Sequence, residues 1–327
     1  MQEDYRIYKI MSRPHFFSII IPTFKRAHSL SQLLASIVRQ KYQSSMLEII
    51  VIDSFSDDGS AEVIAKFSSE NPNYHLIYIN TEINTPSHKR NIGINTASLD
   101  WLILLDDDCV LCGNYLESCA QSILKVKNKR AVFFGEVRYP PQLIRKSNYY
   151  RYRDSRHFVA SKNPQPIDFI KITTMNMLCN QNMLRRSGVL FDPDYKFSCE
   201  DTDFSYRLKR ANFNFFSSKA TVYHYESCQD LINFLNKCKR VYPEGYKIIQ
   251  MKNPSLAKKM IWKYFTPTGK GLLRNIHSII MKAIFNKRIS SMLAKFLFNA
   301  DSNRLLYSEK LFMYVIISAY FEGTQKK

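Results

Sequence analysis

The chain has 327 residues, 45% of them apolar and 23% charged, an average globular usage that excludes wholesale disorder and a polytopic membrane protein. That length leaves room for one large domain or two smaller ones with a sizeable buried core. Lys and Arg number 47 against 28 Asp and Glu, a formal net charge of +19, so an anionic partner is expected: nucleic acid, anionic lipid or a phosphorylated substrate.

Residues 1–14 mix Glu3 and Asp4 with Arg6, Lys9 and Arg13 and hold no apolar run. They read as an N-terminal extension and not as a signal peptide. Phe16 to Ile21 is a short β-rich run stopped by Pro22, after which Leu30, Leu33, Leu34, Ile37 and Val38 recur at helical spacing. Glu48 to Ile52 gives a second buried strand ending at Asp53, and Ala61 to Phe67 a second helix. His75 to Ile79 gives a third strand, Ser87 to Ala97 a third helix, and Trp101 to Leu105 a fourth strand running into Asp106. This alternation predicts an α/β fold, a mostly parallel sheet with helices on both faces. Ligands of such sheets bind beyond the carboxyl ends of the strands.

From Ala131 to Ile172 the pattern is irregular, with Phe133-Phe134 and Ile167 to Ile172 as candidate strands around a Tyr- and Arg-rich loop. Glu200 to Arg210 reads as a helix opened by acidic residues, and Thr221 to His224 as a last strand. No Asp or Glu then occurs between Glu244 and Asp301, while eleven Lys or Arg fall between Lys247 and Lys295. A mainly helical, basic module over residues 226–327 is expected. Within it Leu272, Leu273, Ile276, Ile279, Ile280, Ala283 and Ile284 form a helical stripe, continued less regularly by Met292, Leu293, Phe296 and Leu297. A basic amphipathic helix of this kind fits an anionic membrane interface; the alternative is a surface helix packed on the first domain. No apolar run reaches the roughly 20 residues that cross a bilayer. Seven cysteines without a regular framework suit reduced thiols, and Cys109 and Cys112, a lone CxxC, read as small packed side chains.

Asp106-Asp107-Asp108, three carboxylates at the end of an apolar strand, repel one another and cost desolvation unless something neutralises them. A divalent cation does so, and hard oxygen ligands favour magnesium or manganese. Such an ion also holds a diphosphate and neutralises it as a leaving group.

Ile20-Ile21-Pro22-Thr23-Phe24, Val51 to Ser60, Lys89-Arg90-Asn91-Ile92-Gly93 and Leu105 to Asp108 together resemble the ordered motifs of family 2 glycosyltransferases with a GT-A fold. Asn182 to Arg186, Phe191-Asp192, Cys199 to Leu208 and Tyr223-His224 resemble the acceptor-side half of that family. The resemblance covers about two thirds of the chain and implies a GT-A domain over residues 15–225. It implies an inverting, metal-dependent transfer of a sugar from a nucleotide-diphosphate sugar to a hydroxyl of a growing glycan, of the bacterial surface-polysaccharide type.

Residue by residue, the resemblance puts Pro22, Thr23, Asp53 and Ser54 at the nucleoside, Arg90 at the base or diphosphate and Asp107 near the sugar. Asp106 and Asp108 would form the DxD that holds Mg2+ or Mn2+, with Asp108 the more direct ligand and Asp106 nearer the ribose or sugar; His224 would either complete the metal shell or simply be a packed histidine. Asp201 would be the catalytic base, with Glu200 beside it binding the acceptor or adjusting the base. Taken alone, Glu200 and Asp201 read as helix-capping acids; the motifs that precede them favour catalysis. The chain departs from the family where Asp-Asp-Gly-Ser is common and Asp53-Ser54-Phe55-Ser56 stands here, and where Lys25 replaces an Asn. A UDP-sugar is the expected donor, although the second carboxylate that reads uracil is a hydroxyl in this chain. The implied acceptor is a glycan, lipid-linked, met by a cytoplasmic enzyme lying on the inner face of the cell membrane. Competing readings are a nucleic-acid-binding protein, disfavoured because its basic residues do not interleave with stacking aromatics, and a catalytically silent relative, disfavoured by the intact Asp106, Asp108 and Asp201. No nucleic acid partner is expected.

Overall fold

The structure, a computed structural model, describes residues 15–156, 164–226, 228–260 and 272–325. The N-terminal extension and Lys263 and Lys270 of the basic run lie outside the described residues. Eight strands are formed by Phe17–Pro22 (β1), Leu47–Asp53 (β2), His75–Asn80 (β3), Trp101–Leu105 (β4), Cys109–Leu111 (β5), Ala131–Arg138 (β6), Asn176–Asn180 (β7) and Asn214–His224 (β8). They make one sheet in the order β3-β2-β1-β4-β7-β6-β8-β5.

Between the strands run Ala27–Val38 (α1), Ser60–Glu70 (α2), Pro86–Thr96 (α3), Tyr115–Val126 (α4), Asn148–Arg156 (α5), Gln181–Ser187 (α6) and Glu200–Arg210 (α7). Local chemistry sets several of their ends. Thr85 caps α3 by accepting from the His88 N–H, with Pro86 at the first helical position. Asn180 caps α6 in the same way, and Gly188 at φ 65° closes it. In α3, Gly93 is a packing requirement, because a Cβ there would lie 2.3 Å from Ile20 Cγ2. That missing side chain lets the helix sit directly on β1.

The central strands explain the sequence pattern. β1, β2 and β4 are almost wholly buried, which is why they are mostly apolar instead of alternating; the two polar residues inside them, Ser18 and Glu48, are buried and bonded to each other at 2.6 Å. β3 is half-buried with exposed ends. The expected parallel sheet is present in part: β3, β2, β1 and β4 pair in parallel. The sheet as a whole is mixed, because β7 runs antiparallel to both β4 and β6.

Two further expectations need correction. Ile167 to Ile172 is not a strand. Phe169–Lys171 is a single 3-10 turn, capped by Asp168 through the Ile170 N–H, and only Pro166 makes a bridge, to Phe216. The Tyr- and Arg-rich segment is not a loop either but helix α5, whose Tyr149 N–H donates to Asp301 at 2.7 Å.

The chain divides into two compact units interleaved in sequence. The first takes the described residues up to Val137, those between 164 and Leu190, and Arg207–Tyr223. Its core joins β1, β2 and β4 to α1 and α4 through Ile19, Leu33, Ile49, Ile103, Leu116 and Phe133, among others. The second takes the described residues from Arg138 to Arg156, Phe191–Tyr206, and those from His224 onward. It contains Leu231–Arg240 (α8), Tyr242–Lys252 (α9), Leu272–Ile284 (α10), Lys287–Asn299 (α11) and Glu309–Thr324 (α12). Tyr149 and Tyr152 of α5, Phe234 of α8, Leu297 of α11 and Phe312 and Val315 of α12 share its core. The buried tyrosines of α5 are therefore core residues of this unit. Among the described residues no helix is long and apolar enough to cross a membrane, and all seven cysteines are free.

Candidate active site

The carboxyl ends of β1, β2 and β4 share one edge of the first unit because their registers align. Ile20 pairs with both Ile50 and Leu104, so Pro22-Thr23, Asp53-Ser54 and Asp106 to Asp108 all leave the sheet there. Thr23 Oγ1 donates to Asp107 Oδ2 at 2.8 Å, tying the end of β1 to the triple aspartate. Arg26, which the motif reading did not single out, donates from Nη1 to Asp107 Oδ1 at 2.8 Å and to Asp108 Oδ2 at 2.7 Å. Arg90, buried on α3, donates to Asp106 Oδ1 at 2.7 Å. Two guanidiniums thus meet all three carboxylates. A basic residue following the Pro-Thr that ends a buried strand is the signal that would have found Arg26.

Charge balance is tight here. Burial pushes the Asp107 carboxyl up, a shift that Arg26 opposes and Asp108 reinforces. Burial also works against the charge on Arg26, but Asp107 and Asp108 hold it firmly protonated. Lys89, buried one residue before Arg90, donates to the Thr23 carbonyl at 2.6 Å and to Asn84 Oδ1 at 2.8 Å. Its desolvation lowers the ammonium to about 8, with Asp53 and Asp107 pulling the other way.

Asp53 is fully buried and its carboxylate is fully used. Oδ1 accepts from the Ser54 N–H and the Ser56 hydroxyl, and Oδ2 from the Ser56 N–H and Tyr78 hydroxyl, all within 2.6 to 3.0 Å. These bonds fix the turn that follows β2. Ser54 Oγ is buried in that turn with no hydrogen-bond partner among the described residues, an arrangement that costs desolvation unless a ligand completes it. Phe55 holds φ at 51° and leaves its ring 64% exposed. A bulky residue in the left-handed region is strained, and the family's usual glycine at this place would not be. Lys25 is also left-handed, at φ 52°, and its N–H donates to Ser56 Oγ at 2.7 Å, joining the two strand-end turns.

Glu200, Asp201 and His224 belong to the second unit. Glu200 and Asp201 open α7, half-buried, and Glu200 follows Cys199, which is left-handed at φ 65°. Two residues on, Asp203 is buried and accepts from Asn253 at 2.8 Å. His224 is buried with its ring against Tyr139, centroids 5.6 Å apart. Near it Glu226, also missed in the sequence, accepts from the Tyr149 hydroxyl at 2.5 Å and from Arg153 at 3.0 Å. Burial raises its carboxyl, yet Arg153 holds it below the ordinary glutamate value.

Among the described residues no three His, Cys, Asp or Glu side chains converge as a metal cage. The donor set nevertheless fits magnesium or manganese, which is bound through one or two carboxylates while substrate phosphates and water supply the other positions.

A profile of the family described as "Glycosyl transferase family 2" matches residues 18–189, more than half of the chain. "Glycosyltransferase AglE" of Haloferax volcanii is 32% identical over 108 residues, 33% of this chain and 35% of AglE. Staphylococcus aureus TarS, a poly(ribitol-phosphate) beta-N-acetylglucosaminyltransferase, is 24% identical over 107 residues, 33% of this chain and 18% of TarS. The chain therefore matches about a third of the length of one relative and less than a fifth of the other. In three dimensions it matches the TarS crystal structure with a TM-score of 0.53 and 16% identity, covering 95% of this chain and 55% of that one; TarS has also been solved with UDP. The mannosyltransferase PcManGT of Pyrobaculum calidifontis, solved with GDP-Man and Mn2+, matches with a TM-score of 0.61 and 14% identity over 98% of this chain and 91% of that one. At these identities the structural likeness is one of fold.

Proposed function

The chain belongs to glycosyltransferase family 2, and from that premise we propose that it is an inverting, metal-dependent enzyme. In this reading it transfers a sugar from a nucleotide-diphosphate sugar, a UDP-sugar in the first instance, to a hydroxyl of a lipid-linked glycan in bacterial surface-polysaccharide synthesis. The observation that carries it is the gathering of Thr23, Ser54, Arg26, Arg90 and the three aspartates at one edge of the sheet, where α/β folds bind ligands. The unbonded Ser54 hydroxyl supports a nucleoside there, and the exposed, strained ring of Phe55 offers its face to the base. In this reading Asp53 serves the nucleoside by holding the Ser54–Ser56 turn, alongside Pro22 and Thr23. Asp106 and Asp108 hold Mg2+ or Mn2+, with His224 as a further ligand and Asp107 toward the sugar.

The bound ion would neutralise the departing diphosphate. Arg26 and Arg90 exchange their carboxylate contacts for phosphate oxygens, which suit a guanidinium fork equally. Asp201 takes the proton of the acceptor hydroxyl as its oxygen attacks the anomeric carbon, and the bond from that carbon to the diphosphate oxygen breaks on the opposite face. Glu200 orients the acceptor. One displacement inverts the anomeric centre, so no covalent glycosyl-enzyme forms. The enzyme works on the inner face of a cell membrane. Calorimetric titration of UDP, GDP and dTDP with Mn2+ tests the donor half: one nucleotide should bind in a Mn2+-dependent way, and binding of none of them would defeat the reading.

A further inference from the structure

Helix α10 carries its apolar stripe on the wrong side for a packed helix. Ile276, Ile279, Ile280, Ala283 and Ile284, spaced at i, i+3, i+4, i+7 and i+8, are all exposed, while Met281 is buried. A surface helix ordinarily turns such a stripe to the core. Helix α11 repeats the feature: Ala294 and Leu297 face inward and are buried, whereas Ile289, Met292 and Phe296 are exposed, Met292 by 73%. Leu305, shortly after α11, is 94% exposed. Exposed apolar side chains clustered at helical spacing mark an interaction site.

The charges beside this face identify the partner. Lys282, Lys287, Arg288, Lys295 and Arg304 are exposed on the same segment, and no acidic residue occurs in sequence between Glu244 and Asp301. An apolar centre with a basic margin complements an anionic bilayer. The isoleucines and Met292 enter the acyl boundary, and the long basic side chains reach the lipid phosphates. Two such faces from two copies would bring like charges together, and a nucleic acid backbone offers nothing to the isoleucines. We infer that the outward face of α10 and α11 is the surface by which this chain lies on an anionic membrane. The inference rests on the membrane-surface part of the proposed function and names the residues responsible for it.

Vesicle flotation of the full chain tests it, with phosphatidylcholine alone and phosphatidylcholine mixed with phosphatidylglycerol. Wild type should float with the mixed vesicles and stay behind with the neutral ones. Lys282→Gln, Arg288→Gln and Lys295→Gln should each lower the partition coefficient roughly fivefold, and Ile279→Asp with Met292→Asp should abolish flotation. All five positions are exposed, so circular dichroism should be unchanged. Equal recovery with both vesicle types overturns the inference, as does wild-type recovery by the Ile279→Asp, Met292→Asp variant, or a stable wild-type dimer that this variant dissociates. Nucleotide binding is measured on the same samples. Flotation without nucleotide binding defeats the donor reading and leaves the membrane face standing, and the reverse defeats only the face.

Discussion

Arg26 Nη1 donates to Asp108 Oδ2 at 2.7 Å, so the aspartate assigned to the metal is closed by a side chain of the same unit. A metal ion must displace that guanidinium, or share the carboxylate with it. Replacing Arg26 by Gln removes the competitor, and Mn2+ affinity without nucleotide should rise about tenfold, equivalent to about 1.4 kcal/mol. Calorimetry gives the answer: unchanged or weaker Mn2+ binding would mean that Arg26 does not guard the carboxylates.

Phe55 pays a conformational penalty that glycine would avoid. Phe55→Gly should relieve about 1 kcal/mol of left-handed strain and raise the thermal midpoint. If the ring stacks on the base, worth about 1–3 kcal/mol, nucleotide affinity should fall about tenfold in the same variant, and Phe55→Tyr should retain it. A more stable variant with undiminished nucleotide binding would remove Phe55 from the donor site.

Much of the first unit was legible from sequence because β1, β2 and β4 are buried on both faces and each therefore carries a run of Ile, Leu or Val, Ile19 to Ile21, Ile49 to Ile52 and Leu102 to Leu105. Their ends were equally clear, since polar residues can follow such runs only where the sheet stops. β7 was not legible. Its Asn176 is a buried polar residue whose side chain spans the Glu136 and Ala220 carbonyls at 2.9 Å and accepts from the Tyr115 hydroxyl, a satisfaction no local pattern announces. Helix α5 was missed because its apolar content is tyrosine, buried by tertiary packing without helical amphipathicity. The stripe on α10 was visible, but the direction it faces is a tertiary property. Arg26 escaped because its reach to Asp107 and Asp108 follows the left-handed turn at Lys25.

Asp201 is proposed to act only in the chemical step. Asp201→Asn should lower kcat by about 10²–10⁴-fold while nucleotide affinity stays within twofold of wild type, roughly the limit of such titrations. Steady-state kinetics beside calorimetry separates the two. A variant with full turnover would return Asp201 to a helix-capping role.

Glu226 links stability to acid. Burial opposes its ionisation, but Arg153 holds its folded-state pKa below the ordinary 4.5. The carboxylate thus contributes stability fully above about pH 4.5, and the contribution is lost as pH falls through the lowered folded-state value. Glu226→Gln, which strands a buried Arg153, should cost about 3–5 kcal/mol at neutral pH, with the deficit shrinking in acid. Denaturant unfolding across pH 3–7 on both proteins checks the sign; a deficit that grows in acid would contradict it.

The most direct measurement is release of nucleoside diphosphate from a panel of UDP-, GDP- and dTDP-sugars supplied with Mn2+, comparing wild type with Asp108→Asn. Wild type should release one nucleoside diphosphate in preference to the others, and chelation of the metal or loss of the Asp108 carboxylate should suppress that release. Release that is indifferent to both chelator and Asp108→Asn, or no release from any donor by a protein that also binds none of the nucleotides, would contradict a metal-dependent glycosyl transfer at the ends of β1, β2 and β4.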